Sequence, residues 1–309
     1  MPSLNEKIDK LNTQIKADPD NAELYVQRGA EMWEVQGFDQ AIADLEKAVS
    51  LSPDTPEYYH QLADYYMDYF RSQQAVKTME TAGLKFLERI PTLLKLAEFY
   101  LIVKEYGAAD RTLDRIEKIE PLNSEMFYMR AQVQKDQGNI EEAVSYLRFA
   151  TENNPDFTDA YLKLGELTAE SDPKLALQFY DNAVRTAPDN PDALMMKAYH
   201  LSNIMDKPAA AVDIYREVHK LDPQNEQAFY NSGLLYMDLD SLQRAYEQFT
   251  LAIKVSPTAA ESYYYRGVTS EMRGDVSAAK SDYEQVTRLS PNFRAGREAL
   301  ERVSTQVAQ

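Results

Sequence analysis

The sequence predicts an all-helical fold made by stacking helical hairpins, and three observations carry that reading. Prolines fall at Pro19, Pro53, Pro121, Pro155, Pro188, Pro223, Pro257 and Pro291, most of them 34 residues apart. Within each interval small residues hold two fixed places, and a bulky residue follows the second of them by four. Apolar residues between these marks recur at the three-and-four spacing of an amphipathic helix. A repeat of this length holds two helices, which cannot bury both apolar faces alone, so neighbours must stack.

Ahead of the first repeat, Leu4, Ile8, Leu11 and Ile15 form an apolar stripe that predicts a covering helix over 3–18. Eight repeats then begin at Ala22, Pro56, Ile90, Ser124, Thr158, Pro191, Glu226 and Ala260 and end at 291. The interval from Pro53 to Pro121 is two periods long, with Leu87 where a proline would stand. Intervals of 33 and 35 residues lead to Pro188 and Pro223, a deletion and an insertion that leave the register intact. In each repeat apolar positions 4, 7 or 8 and 11, such as Tyr59, Leu62 and Tyr66, make the buried stripe of a first helix. A turn such as Gln137-Gly138-Asn139 separates it from a second helix. After the last repeat, Ala299, Leu300, Val303 and Val307 predict another cover over 294–307, because the end face of a stack otherwise presents core to water.

The columns are regular. Position 8 of the repeats reads Gly29, Ala63, Ala97, Ala131, Gly165, Ala198, Gly233 and Gly267. Near position 20 come Ala41, Ala75, Ala109, Ala143, Ala176, Ala211, Ala245 and Ala279, and four residues on stand Leu45, Met79, Leu113, Leu147, Tyr180, Tyr215, Phe249 and Tyr283. This pattern resembles the tetratricopeptide repeat family, with a small residue where two helices approach, a bulky knob on the facing helix and a proline at the boundary. The resemblance covers nearly the whole chain. It implies one right-handed superhelical solenoid over 1–309, whose first helices line a concave groove, and a role in binding other proteins.

Thirty-three Lys and Arg against fifty Asp and Glu give a net charge of −17, the wrong sign for coating phosphates or an anionic membrane surface. Nucleic acid is therefore not an expected partner. No run approaches the roughly 18 apolar residues of a membrane-spanning helix. The absence of cysteine excludes disulfides, thiol nucleophiles and cysteine-bound metals. The first residues lack the apolar stretch of a signal peptide, so a soluble, cytoplasmic protein is expected, with a periplasmic or exported form that has already been processed left open.

Catalytic chemistry finds little to stand on. His60, His200 and His219 are the histidines, and neither a phosphate-binding glycine loop nor a Gly-x-Ser-x-Gly elbow occurs. Glu57, His60, Asp64 and Asp68 share one helix face at hard-ligand spacing, but a di-iron bundle needs a second set, so a solvated acidic face is the reading. Arg273-Gly274-Asp275 reads as the turn between the two helices of repeat eight. The clamp that some family members use for acidic peptide tails is not carried over, since Asn231 fits but Met195, Tyr199, Glu261 and Tyr265 stand where its companions would be. The chain is expected to be no enzyme and to need no cofactor or metal.

Opposite the buried stripe of each first helix lie positions 2, 5, 9, 12 and 13, the face that lines the groove in the family. These forty positions hold fifteen acids and one base, Lys135. Six of the acids stand in the first turn, where the helix dipole favours a carboxylate. In repeats five to eight the same face carries an apolar ladder of Leu162, Met195, Tyr199, Tyr230, Leu234, Tyr264 and Val268, beside Glu166, Glu170, Asp238 and Glu271. Tyr and Met suit a contact surface. The expected ligand is a partly basic, extended or helical protein segment, with self-association through the same face as the alternative.

Overall fold

A computed structural model of the protein describes residues 4–307, where it places eighteen α-helices and, among the described residues, no strand. Residue 3 and the side chain of Val307, both assigned to the covers, lie outside the described residues. By packing, the chain divides into two compact halves, Met1–Pro155 and Asp156–Gln309. Four repeats fall in each.

The N-terminal half begins with α1 (Leu4–Ala17). Its repeats are the pairs α2 (Ala22–Glu34) with α3 (Phe38–Leu51), α4 (Pro56–Asp68) with α5 (Ser72–Lys85), α6 (Ile90–Ile102) with α7 (Tyr106–Ile119), and α8 (Ser124–Asp136) with α9 (Ile140–Asn153). In the C-terminal half the pairs are α10 (Thr158–Thr168) with α11 (Pro173–Thr186), α12 (Pro191–Asn203) with α13 (Pro208–Leu221), α14 (Glu226–Asp238) with α15 (Leu242–Val255), and α16 (Ala260–Met272) with α17 (Val276–Leu289). The closing helix is α18 (Arg294–Val307). Every repeat start read from the columns is a helix start. The deletion in repeat five shortens α10 to 11 residues where the other first helices have 13.

The helices start where backbone N–H groups find partners. Asn123, Asp172, Asn190, Asn225 and Asp275 each accept a hydrogen bond at a helix start through their side chains, and Pro56, Pro173, Pro191 and Pro208 open helices with the φ already fixed. Seven of the eight hairpin turns use one left-handed residue, and the α10–α11 turn uses none. Gly138 and Gly274 supply it without strain, whereas Gln36, Phe70, Lys104, Asp206 and Asp240 adopt positive φ with a Cβ in place. Gly274 thus sits in a turn as expected, with the Arg273 guanidinium over the Tyr246 ring and Asp275 capping α17.

Each half packs around its own small-and-bulky columns. Ala41, Ala75, Ala109 and Ala143, with Leu45, Met79, Leu113 and Leu147, are all fully buried in the first half. Ala176, Ala211, Ala245 and Ala279 are likewise fully buried in the second, where Tyr180, Tyr215, Phe249 and Tyr283 fill the knob column. Ile8, Leu11 and Ile15 of α1 are buried while Leu4 is exposed; Ala299 and Val303 of α18 are buried against Ala279 and Tyr283.

Candidate functional site

The first helices of the C-terminal half, α10, α12, α14 and α16, carry every residue of the expected binding face except Glu170, which lies in the turn after α10. Tyr199 stands on α12 with 57% of its surface exposed, and Met272 at the end of α16 is equally open. Leu162, Met195, Tyr230, Leu234, Tyr264 and Val268 are half-buried. Met195, Tyr230 and Leu234 lean on the core around Tyr215 and Phe249, while Tyr264 and Val268 lean on the core around Tyr283 and Val303. Five of the ladder's seven residues thus pack into two groups, while Tyr199 stands largely in solvent.

Aromatic packing by Tyr265 of α16 covers Tyr230 and Tyr264. The Tyr265 ring meets Tyr230 edge-on with centroids 5.8 Å apart, stacks on Phe249 at 6.0 Å, and meets Tyr264 edge-on at 5.1 Å. Tyr264 in turn contacts Phe293 at 5.1 Å. Burial, then the neighbouring Tyr265 and the carboxylates of Glu261 and Glu226, push the Tyr230 hydroxyl up to about 12. Tyr265 was absent from the residues expected on the face, because position 6 points sideways along it rather than outward. Asn231, also at position 6, donates from Nδ2 to the Tyr215 hydroxyl at 3.2 Å, so it serves the core.

The charge of the face differs from the expectation. Four of its fifteen acids have ion-pair partners that the counted positions leave out: Glu57 with Arg89 at 2.5 Å, Asp64 with Lys95 at 2.7 Å, Glu166 with Lys163 at 2.5 Å, and Glu271 with Arg302 at 2.6 Å. Glu271 also accepts from the Tyr283 hydroxyl at 3.0 Å, and the Arg302 guanidinium holds its carboxyl below the usual range. Glu271 is thus tied to the covering helix α18. Glu170 and Asp238 are exposed. The acids on α4 form no ligand set, because His60 Nε2 lies 3.0 Å from the Thr92 hydroxyl while Glu57 and Asp64 face their own cations. Among the described residues no group of His, Asp and Glu could hold a metal ion, and no helix is long and apolar enough to cross a membrane.

Residues 22–55, 128–191 and 226–258 match family models described as tetratricopeptide repeat. These segments are tetratricopeptide repeats, and the same helical-hairpin architecture is present in both halves. It is similar to human protein O-mannosyl-transferase TMTC3, at 23% identity over 78% of this chain and 27% of that protein. It is similar too to the Drosophila melanogaster BBSome complex member BBS4 homolog, at 22% identity over 96% of this chain and 63% of that protein. Among solved structures, the C-terminal part of a repeat-containing protein from Cytophaga hutchinsonii matches with a TM-score of 0.63 and 15% identity, covering 78% of this chain and 99% of that one, a likeness of fold. The chain spans less than two thirds of either curated relative. One of the two is by name a transferase, so the family by itself does not decide against enzymatic activity; the class of function it gives is the protein–protein interaction scaffold.

Proposed function

We propose that the first-helix face of the C-terminal half binds a partly basic, extended or helical segment of another protein. Tyr199 carries the reading. Its ring is largely in solvent on a face otherwise made of half-buried Met195, Tyr230, Leu234 and Tyr264, and an aromatic side chain left in water beside a prepared apolar floor suits a contact anchor. Glu170 and Asp238 are the exposed acids that steer the ligand's cations, with Glu166 shared with Lys163 and Glu271 committed to Arg302.

Apolar anchors and exposed charges act on different rates: charges guide encounter and anchors slow release. Affinity capture with wild type beside Tyr199→Ala identifies the partner by its loss. With that partner in hand, Tyr199→Ala is expected to speed dissociation about tenfold, and Glu170→Lys with Asp238→Lys to slow association and flatten its salt dependence. Association unchanged by the double reversal at low salt would remove the steering role. A concentration-dependent dimer in light scattering, lost in Tyr199→Ala, would give the face to self-association.

A further inference from the structure

A second surface lies in the N-terminal half, on its second helices and apart from the face just described. Between α5 and α7 runs a cleft of about 430 Å³ whose floor is Leu96 and Tyr100 of α6. One lip is Glu80 and Leu84 of α5; the other is Arg111 and Arg115 of α7. It continues past Glu80 into a further cavity of about 520 Å³ with Val76, Lys77 and Val103 on its walls.

Two leucines, Leu84 on its lip and Leu87 beyond it, where Arg115 reaches the Leu87 carbonyl, break the pattern of the repeats. Leu84 is 73% exposed, at a place where repeats one, three, four, seven and eight carry Ser50, Lys118, Glu152, Lys254 and Arg288. Leu87 is 58% exposed and replaces the boundary proline. Neither is needed for the core, and both depart from what the same fold uses elsewhere in this chain.

The polar groups of the cleft are held in distinct ways. Tyr100 donates to Glu80 at 2.8 Å, fixing that carboxylate on the α5 lip. Arg115 donates from Nη2 to the carbonyls of Gly83 at 2.8 Å and Leu87 at 3.2 Å, so its guanidinium is pinned beside the two leucines. Arg111 is one helical turn away on the same face of α7, exposed, and has no hydrogen bond or ion pair among the described residues. An immobilised cation and an unpaired one, flanking exposed leucines, complement a carboxylate next to an aliphatic side chain.

We infer that the α5–α7 cleft docks an acidic, leucine-bearing segment of a partner protein, with its carboxylates toward Arg111 and Arg115 and its aliphatic side chains on Leu84, Leu87 and Leu96. The polarity is opposite to that of the first-helix face. A chain of net charge −17 repels acidic peptides in general, so attraction of one has to come from a local feature.

Fluorescence polarisation with a labelled peptide of alternating Glu and Leu, and its twin of alternating Lys and Leu, tests this on the full chain. Saturable binding of the glutamate peptide below about 1 mM is expected at low salt. Arg111→Glu should weaken it at least about tenfold and shift preference toward the lysine peptide, and Leu84→Ser should weaken it without reversing preference. Both changes are at exposed side chains, and Ser50 already occupies the Leu84 place in repeat one, so an unchanged melting curve is expected for each. Absence of saturable binding, or binding indifferent to Arg111→Glu, would overturn the inference. A dimer in light scattering that Leu84→Ser abolishes would give the cleft to a second copy and overturn it as well.

Discussion

The two halves solve the same packing problem with different residues. In the N-terminal half the knobs are Leu45, Met79, Leu113 and Leu147, and three of the four facing small residues are alanine. In the C-terminal half the knobs are Tyr180, Tyr215, Phe249 and Tyr283, and three of the four facing residues are glycine. The difference is steric. A Cβ placed on Gly165, Gly233 or Gly267 would stand 2.6, 2.6 or 2.7 Å from the ring of Tyr180, Phe249 or Tyr283. On Gly29 the nearest atom would be the Ala41 carbonyl oxygen at 3.2 Å, with Leu45 at 3.8 Å. An aromatic knob therefore requires glycine where an aliphatic one accepts alanine. Tyr215 opposite Ala198 is the exception, its hydroxyl taken up by Asn231. Glycine inside a helix costs about 1 kcal/mol against alanine, so the aromatic half gives up helix propensity for larger buried side chains.

One ion pair appears in both halves at the same place, and its surroundings make the sharpest comparison. Arg28 chelates Asp44 with bonds of 2.8 and 2.6 Å, and Arg266 chelates Asp282 with bonds of 2.9 and 2.6 Å. Both aspartates are buried. Arg28 has a further strong partner, the Asn12 side-chain oxygen at 2.8 Å, whereas Arg266 lies over the Tyr246 and Tyr263 rings with Thr250 at 3.4 Å. Removing a buried carboxylate strands its cation, at a cost of about 3 kcal/mol when nothing replaces it. Asp282→Ala is expected to approach that figure, and Asp44→Ala to lose about 2 kcal/mol because Arg28 keeps Asn12. Because stability in a repeat array is largely local, hydrogen exchange should show the losses in α16–α17 and α2–α3 respectively. Equal losses would mean that Asn12 contributes nothing.

The glycine pairing predicts a smaller effect with a built-in reversal. Gly233→Ala should destabilise the C-terminal half by about 2 kcal/mol, since the Phe249 ring must move to admit a methyl group. Gly29→Ala should fall within about 0.5 kcal/mol of wild type, the tight contact with the Ala41 carbonyl offset by better helix propensity. Adding Phe249→Leu to Gly233→Ala recreates the alanine–leucine pair of the first half. Urea unfolding should then show the double variant losing less than the sum of the two single losses, by about 1 kcal/mol. Strict additivity would show that the two columns do not read each other.

The repeat starts, the small columns and the knobs were all legible in the sequence, because close packing admits few residue types at those places and the period repeats them eight times. Most of the apolar ladder was legible as a face but not as half-buried; Tyr230 and Tyr264, for instance, meet Tyr265, a side chain outside the positions counted for that face. Three of the four ion pairs were hidden by their spacing. Arg89, Lys95 and Arg302 stand 31 or 32 residues after Glu57, Asp64 and Glu271, nearly one repeat on, so each cation reaches back from the next element. A charge count confined to one helix face cannot see them. Leu84 was not singled out, because function was expected only on the faces of the first helices.

The smallest predicted effect concerns two histidines, one in each half. His60 is pushed below its usual value by burial first, then by Arg89 and Lys95, with Glu57 and Asp64 pulling the other way. His219, stacked on Phe229 at 4.0 Å with Nε2 buried and facing no protein hydrogen-bond partner, is lowered by burial, opposed by a hydrogen bond with the Ala228 backbone. In both cases the folded state holds the proton less tightly than the unfolded chain. Their contribution to stability is therefore fully present above about pH 6.5 and is lost as pH falls from there through the folded-state value. Melting temperatures should decline between about pH 7 and pH 5, and His219→Phe should flatten part of that decline, with hydrogen exchange placing the change in α13–α14. Salt separates the two. Screening weakens what Arg89 and Lys95 do to His60 but leaves the burial of His219 untouched, so the part of the slope that His219→Phe removes should be the same at low and high salt, while the remainder should change. A His219 contribution that itself shifts with salt would mean that a charged group, rather than burial against Phe229, sets its proton affinity.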